Sequence, residues 1–430
     1  MRVRSTPEPK NIVPYDGSGR LAHAGATEGA HGHGRRRRFG GARAARGSVM
    51  VERRRARAQA VLFWASTIVF GASSFGVVAI LSRRVGAGEL AEVSAVFALS
   101  YLMTILPSSE QLRAAGLVGA GHGIGSPPWR PVIVVVAVLG LAAPLLERVL
   151  ALPVLAVVAV ALQLVPGLPL AIRRGTLIGS GHMWGAGSNF ALEAVCRFGL
   201  GLAFGATWGS TGVAWALLTA IVIALVASKV RIRVSSPREP EPASLDSVVT
   251  PFAGTVASIG LMMLLVGIDL IVAPGALDAV SADRYALAAV PAKGVYGALF
   301  AVGLILIPTA RRGRSRSLKA IAATMAAGIV GAGVLVLVRP LIPIVFGRTE
   351  PDPLLLGIVG VAMAAAAGTS ACVHVAVARG FTAPWPPLLI ATGAIVIVAV
   401  AAGTPLAFGV GVLAAQSVAF AASLAVVAFS

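Results

Sequence analysis

About twelve apolar stretches, each near the length needed to cross a bilayer, fill this 430-residue chain from Val61 to its last residue. Into them the sequence carries a few charges: Glu193, Arg197, Asp269 and Lys293. A helix in lipid satisfies its own backbone but cannot solvate a charged side chain. Ionisable groups in such spans therefore face a protein interior or a water-filled cavity. The chain is constrained to a multi-span helical membrane protein with a charged interior, an arrangement suited to passing something across the membrane.

Composition excludes the obvious rivals. The chain is 57% hydrophobic and 12% charged, whereas soluble domains carry about 25% charged residues. A strand barrel would alternate polar with apolar in segments of about ten residues. Here Val132–Leu146, Val154–Val165 and Leu388–Ala402 are apolar on nearly every face. The net charge is +19, and residues 1–59 hold 14 Lys and Arg against 4 Asp and Glu. That excess reads as cytoplasmic anchoring rather than nucleic-acid binding. Residues 1–59, with the run Arg35–Arg38, are expected to be a disordered basic tail, and His31 and His33 to be part of it. Met50 offers a second candidate translation start. Cys196 and Cys372 fall inside spans and are expected to pack, since neither a disulfide framework nor a metal spacing is available.

The expected spans are 60–81, 90–106, 131–146, 152–171, 188–205, 210–228, 250–274, 285–309, 319–338, 354–378, 388–403 and 407–428. The third is short, its boundary with the fourth is the least defined, and the second can continue past Pro107 toward Arg113. With the N-terminus inside, cytoplasmic loops carry 14 Lys and Arg and outer loops 6. The positive-inside rule therefore places both termini in the cytoplasm. Arg83 and Arg84 are the exception, as arginines at an outer end that need not face open solvent. The proline-rich segment 229–249 separates a first half, 60–228, from a second, 250–430. Each half opens with a span, a Gly/Ala hairpin carrying acidic residues, and another span. Each also has Arg-Gly after its fourth span, at Arg174-Gly175 and Arg379-Gly380. The expected fold is all-α: about twelve transmembrane helices in two six-helix bundles related by a pseudo-two-fold axis along the membrane normal.

At these residues the chain resembles the multidrug/oligosaccharidyl-lipid/polysaccharide (MOP) flippase superfamily, and is most similar to its polysaccharide-unit branch. The first hairpin, ILSRRVGAGELAEVSAVFAL, resembles that branch's opening. Arg174-Gly175-Thr176-Leu177-Ile178-Gly179 resembles its turn after the fourth span. Gly267-Ile268-Asp269-Leu270-Ile271-Val272 with Tyr285-Ala286-Leu287, and Pro308 ending the eighth span, resemble its seventh-to-eighth signature. The likeness covers roughly residues 60–430; Gly86-Ala87-Gly88-Glu89-Leu90 departs from the family's usual turn. The resemblance implies outward movement of a polyprenyl-diphosphate-linked glycan by alternating access in the cytoplasmic membrane.

A diphosphate in low dielectric needs cationic partners. Lys293, in Val290-Pro291-Ala292-Lys293-Gly294, is the first candidate contact; its competing role is a structural pair with Asp269. Asp269 can instead bind a coupling H+ or Na+. Glu193 and Arg197 stand at i and i+4 and so share a helical face, with Asn189 one turn before. Mutual neutralisation is their simplest role, and a second headgroup contact the alternative. Arg84, Arg113 and Arg174 at span ends are further candidate contacts, Glu110 a candidate gate, and His374 and Gln163 buried hydrogen-bonding residues. No Walker-type run and no loop-borne acid/base cluster is present, so neither a nucleotide motor nor an enzyme is expected. Cofactors are none; the partners expected are the lipid-linked glycan, membrane lipid and envelope glycan polymerases or transferases. The competing functions are a cation-coupled multidrug antiporter of the same superfamily and a non-transporting scaffold for envelope assembly.

Overall fold

The computed structural model describes residues 61–63, 65, 66, 68–86, 88–119, 123, 124, 127–231, 245–310, 314–378 and 385–429. The basic tail, the core of the 229–249 segment and Arg379-Gly380 lie outside the described residues. Everything regular within them is helical: α1 Val61–Leu81, α2 Glu89–Met103, α3 Ile105–Gly119, α4 Trp129–Leu150, α5 Val154–Leu162, α6 Leu164–Gly179, α7 Met183–Arg231, α8 Leu245–Ala276, α9 Ala279–Ala310, α10 Arg314–Leu337, the five-residue α11 Ile342–Phe346, α12 Pro353–Ala378, α13 Trp385–Ala401 and α14 Pro405–Phe429.

Helix α7 cannot be one crossing. At 1.5 Å per residue, its 49 residues would exceed twice the roughly 30 Å hydrocarbon layer. Trp208 and Gly209 are non-helical, with Gly209 at φ 58°, ψ −138°, which suits a residue without a Cβ. The chain doubles back there: a Cβ on Gly212 would fall 1.9 Å from the Phe204 carbonyl, an approach a continuous helix does not allow. The fifth and sixth spans are therefore a hairpin with almost no loop. The opposite economy appears at Thr104 and Gln163, where α2–α3 and α5–α6 are each one crossing interrupted part-way. These breaks meet, Ser100 Oγ donating to Gln163 Oε1 at 2.5 Å. With α7 counted twice, the described helices give the twelve crossings expected from the sequence.

Three boundaries differ most from that expectation. The second span, expected to end near 106 or to continue toward Arg113, runs through α3 to Gly119, so Arg113 lies inside a helix. The third span is a full 22 residues, because Glu147 and Arg148 ride in the last turn of α4 instead of ending it. The fourth continues to Gly179, so Arg174 and Gly175 lie inside α6 and not at a turn. Helix periodicity is weak evidence for an end where the residues after an arginine are themselves good membrane helix formers. Leu177 is buried in this last stretch.

Helix ends carry their own signals. Asp278 caps α9, accepting from the Val280 and Ser281 amides at 3.1 and 3.0 Å. Hydrogen bonding from Ser281 holds its carboxyl below the ordinary aspartate range. Asp352 caps α12 through Leu354 N at 2.9 Å. In chain order the helices then alternate between two ends of the bundle. One end holds residues 82–86, 88, 151–153, 208–209, 277–278, 338–352 and 402–404; the other holds 180–182.

Packing follows from small residues, as expected where lipid removes the hydrophobic drive between helices. Gly175 and Gly179 form a GxxxG face on α6. Cβ atoms there would meet the α3 carbonyls of Gln111 and Ala115 at 2.3 and 2.5 Å. Gly328 and Gly360 bring α10 and α12 together in the same way, against Ala364 and Ala332. Helices α3 to α7 pack chiefly among themselves and α9 to α14 among themselves, while α2 packs chiefly on α8 and also on α7 and α9, and α8 packs also on α13. The largest buried cluster includes Leu90, Val96, Leu265, Tyr285, Leu356 and Phe408.

Candidate functional site: two buried charge clusters

The first cluster is built on α6 and α7. Glu193 and Arg197 share one face of α7, and Arg197 Nε and Nη2 donate to Glu193 Oε1 at 2.9 and 2.6 Å. Helix α6, held close by its glycines, brings Arg174 to the other oxygen: Nη2 donates to Glu193 Oε2 at 2.5 Å. Arg174 Nε also donates to Asn189 Oδ1 at 2.6 Å, and the Asn189 amide donates onward to Ala224 O at 2.8 Å. The arginine side chains are 7% exposed and the glutamate 2%. Two guanidinium groups thus share one carboxylate, leaving one positive charge in excess at neutral pH. Aromatic faces meet that excess: Arg174 lies 3.8 Å from the Phe190 centroid, and Arg197 4.3 Å from that of Phe70 on α1. Phe190 in turn stands edge-on to Phe63 and Phe70.

The second cluster joins α8 and α9. Asp269, fully buried, accepts from Lys293 Nζ at 2.7 Å and from the Tyr285 hydroxyl at 2.7 Å. Lys293 donates also to the Val266 carbonyl. Gln416 Nε2 of α14 donates to the neighbouring Leu265 carbonyl at 2.9 Å. Helix α9 passes through Pro291 and Gly294 without ending. This cluster is neutral, and the lysine side chain keeps 15% of its exposure.

The other expected residues lie apart from these. Arg113 pairs with Glu110 on α3 at 2.7 Å, the arginine partly exposed and the glutamate buried. Arg84 is exposed just beyond α1. His374 is buried, with Nδ1 3.5 Å from Ser370 Oγ and its ring against Phe300. Of the residues singled out in the sequence, the structure therefore brings together Arg174, Asn189, Glu193 and Arg197, and separately Asp269 with Lys293 and Glu110 with Arg113. Sequence reasoning did not find Phe70, Phe190 or the hydroxyl of Tyr285 as partners. The Glu193/Arg197 and Glu110/Arg113 spacings are local signals; the partners on different helices meet through tertiary packing.

The sequence matches no protein-family model and no curated protein. Solved structures do match. The lipid II flippase MurJ in an inward closed conformation aligns with a TM-score of 0.62 at 12% identity, over 86% of this chain and 87% of that one. A mutant form of the Vibrio cholerae MATE transporter VcmN aligns at 0.55 and 17% identity, over 86% and 97%. The chain has the fold of the MOP transporters. A further MOP transporter, from Pyrococcus furiosus, aligns at 0.54 and 14% identity over 86% and 96%, and its binding pocket is described as having reversed polarity that suggests a different function.

Proposed function

We propose that the protein is a transporter that moves a lipid-linked glycan precursor, a polyprenyl-diphosphate glycan, from the cytoplasmic to the outer leaflet of the cell membrane. The observation that carries this reading is the sign of the buried charge. Arg174 and Arg197 outnumber their single carboxylate, Glu193. Lys293 covers Asp269. An anionic headgroup is the ligand such a surplus favours, because it cancels a charge that lipid cannot. In this reading Arg197 and Lys293, each deep in its helix, meet the diphosphate, and Glu193 and Asp269 hold them in place until it arrives. Arg174 supports Arg197 through the shared carboxylate, and Arg84 and Arg113 lie toward the mouths of the path. The two groups of helices, 60–228 and 250–430 joined by 229–249, rock about the cargo, with both termini cytoplasmic. An H+ or Na+ gradient, or the cargo gradient itself, supplies the energy.

A multidrug antiporter of the same fold would need a carboxylate free to take a cationic drug. Glu193 and Asp269 are both already bonded to cationic side chains, which disfavours that reading. The test is mass spectrometry of lipid-linked intermediates in cells lacking the gene, with and without a plasmid copy and with redundant flippases deleted. Accumulation of one polyprenyl-diphosphate glycan, reversed by the plasmid, supports the reading and identifies the cargo. Unchanged intermediates and envelope glycans would sink it.

A further inference from the structure

Arg83 is one of the two arginines, with Arg84, that run against the charge asymmetry, standing at the end of the bundle expected to be poor in them. Although the residue is exposed, its guanidinium is bonded. Nε donates to Val345 O at 3.0 Å, and Nη2 donates to Ile344 O. The exchange is reciprocal. Arg348 Nε donates to Ser82 O at 2.7 Å, and its Nη2 donates to Val85 O and, at 3.1 Å, to Gly86 O. Between the two arginines, Ser82 Oγ donates to Phe346 O at 2.6 Å, and Phe75 meets Phe346 edge-on with centroids 5.5 Å apart. One further element joins from the same side: Asp283 of α9 accepts the Gly88 and Ala91 amides of α2, each at 3.0 Å.

The acceptors share one chemistry. Carbonyls at the end of a helix have no intrahelical partner and carry its negative pole. Ile344 and Val345 belong to the last turn of the short α11, whereas Ser82, Val85 and Gly86 lie in the turn after α1, so two arginines satisfy helix-end and turn carbonyls across a junction between segments more than 260 positions apart. The fit is close as well. Gly347, at φ 64°, lies against the Arg83 side chain, where a Cβ would stand 2.6 Å from Cγ.

We propose that this reciprocal arginine latch is the gate of one face of the protein, the face that the positive-inside rule assigns to the outside. It holds the ends of α1 and α2 against α9 and the 339–348 segment, and it must release before the protein can open there. The idea rests on the transport reading for its purpose, but its geometry is testable without any cargo.

The experiment is double electron–electron resonance on the full chain in lipid nanodiscs of phosphatidylethanolamine and phosphatidylglycerol. Spin labels go on Ala206→Cys and Thr349→Cys in a Cys196→Ser/Cys372→Ser background. Both labelled positions are exposed and neither belongs to the latch. In Arg83→Gln/Arg348→Gln, the ratio of long to short distances should rise by roughly tenfold or more over the parent. Arg339→Gln, which removes only the exposed pair with Glu350, should leave it unchanged. Should the double variant fail to fold, Arg348→Gln alone carries the same expectation. An unchanged distribution overturns the latch, and so does an equal shift in Arg339→Gln. Lipid-linked intermediates are measured in parallel. A latch that opens in protein whose loss leaves those intermediates unaffected means that the gate stands and the cargo reading fails.

Discussion

Replacing Glu193 with glutamine tests the account of the buried cationic cluster most directly. The change keeps shape and removes one negative charge, leaving Arg174 and Arg197 facing each other across a neutral amide. Breaking a buried pair by removing one partner costs about 3–5 kcal/mol, because the remaining charge is stranded. Arg197→Met is milder. It removes the two bonds to Glu193 Oε1 and the contact with Phe70, but Glu193 keeps Arg174 and the cluster becomes neutral. Losing hydrogen bonding to a charged group costs about 1.5–3 kcal/mol. The double variant should cost less than the two single changes added together, by about 0.5–3 kcal/mol, since Arg197 is one of the cations that loss of Glu193 strands. Reversible unfolding in mixed micelles of dodecylmaltoside and dodecyl sulfate measures all three. If Glu193→Gln is no more damaging than Arg197→Met, or if the two add, the cluster does not hold a surplus positive charge balanced by this carboxylate.

Three further expectations are open to simple experiments. Gly175→Ala pushes a methyl into the Gln111 carbonyl across the α3–α6 contact and should destabilise by about 1–3 kcal/mol in the same unfolding assay; a neutral effect would mean that the helices separate freely there. Lys293→Met leaves Asp269 with only Tyr285 and should lower the amount of folded protein, and adding Asp269→Asn should restore it, read by size-exclusion chromatography of a fluorescent fusion. If the double variant also restores the lipid-linked glycan pool, Lys293 has no role in holding cargo. In otherwise cysteine-free protein, Ser315→Cys should react with a membrane-impermeant maleimide only after the inner face is opened, and Ser281→Cys from outside intact cells; the reverse pattern would overturn the orientation.

The fold was legible because crossing a bilayer is a local requirement. Apolar runs of sufficient length show in the sequence wherever they occur, and twelve were read with ends mostly within a few residues. The exceptions are instructive. The sequence places the end of the fourth span at 171, before Arg173 and Arg174, because arginines at span ends usually anchor at the interface. Whether an arginine snorkels or turns inward depends on a carboxylate from another helix, and Glu193 is 19 positions away from Arg174. The Arg-Gly-x-Leu-x-Gly motif then has another meaning: the arginine is a buried ion and the glycines are the surface that lets α3 approach. Glu193 with Arg197 was readable, being one helical turn apart, whereas the Lys293–Asp269 pair could be suspected only from the cost of leaving either unpaired. Nothing local announced the meeting of residues 82–86 with residues 344–348.

The position of Arg174 matters also to how the chain enters the membrane. Helices are made in order, so Arg174 on α6 exists before the carboxylate that neutralises it. It stands only five residues from Gly179, near enough to the helix end for its long side chain to stay hydrated while it waits. Arg197 lies much deeper in the first arm of α7, but Glu193 precedes it by one turn and enters with it. The cluster can thus assemble without either guanidinium standing unpaired at the bilayer centre. A cation placed late and deep, with its partner on a later helix, would have had no such route.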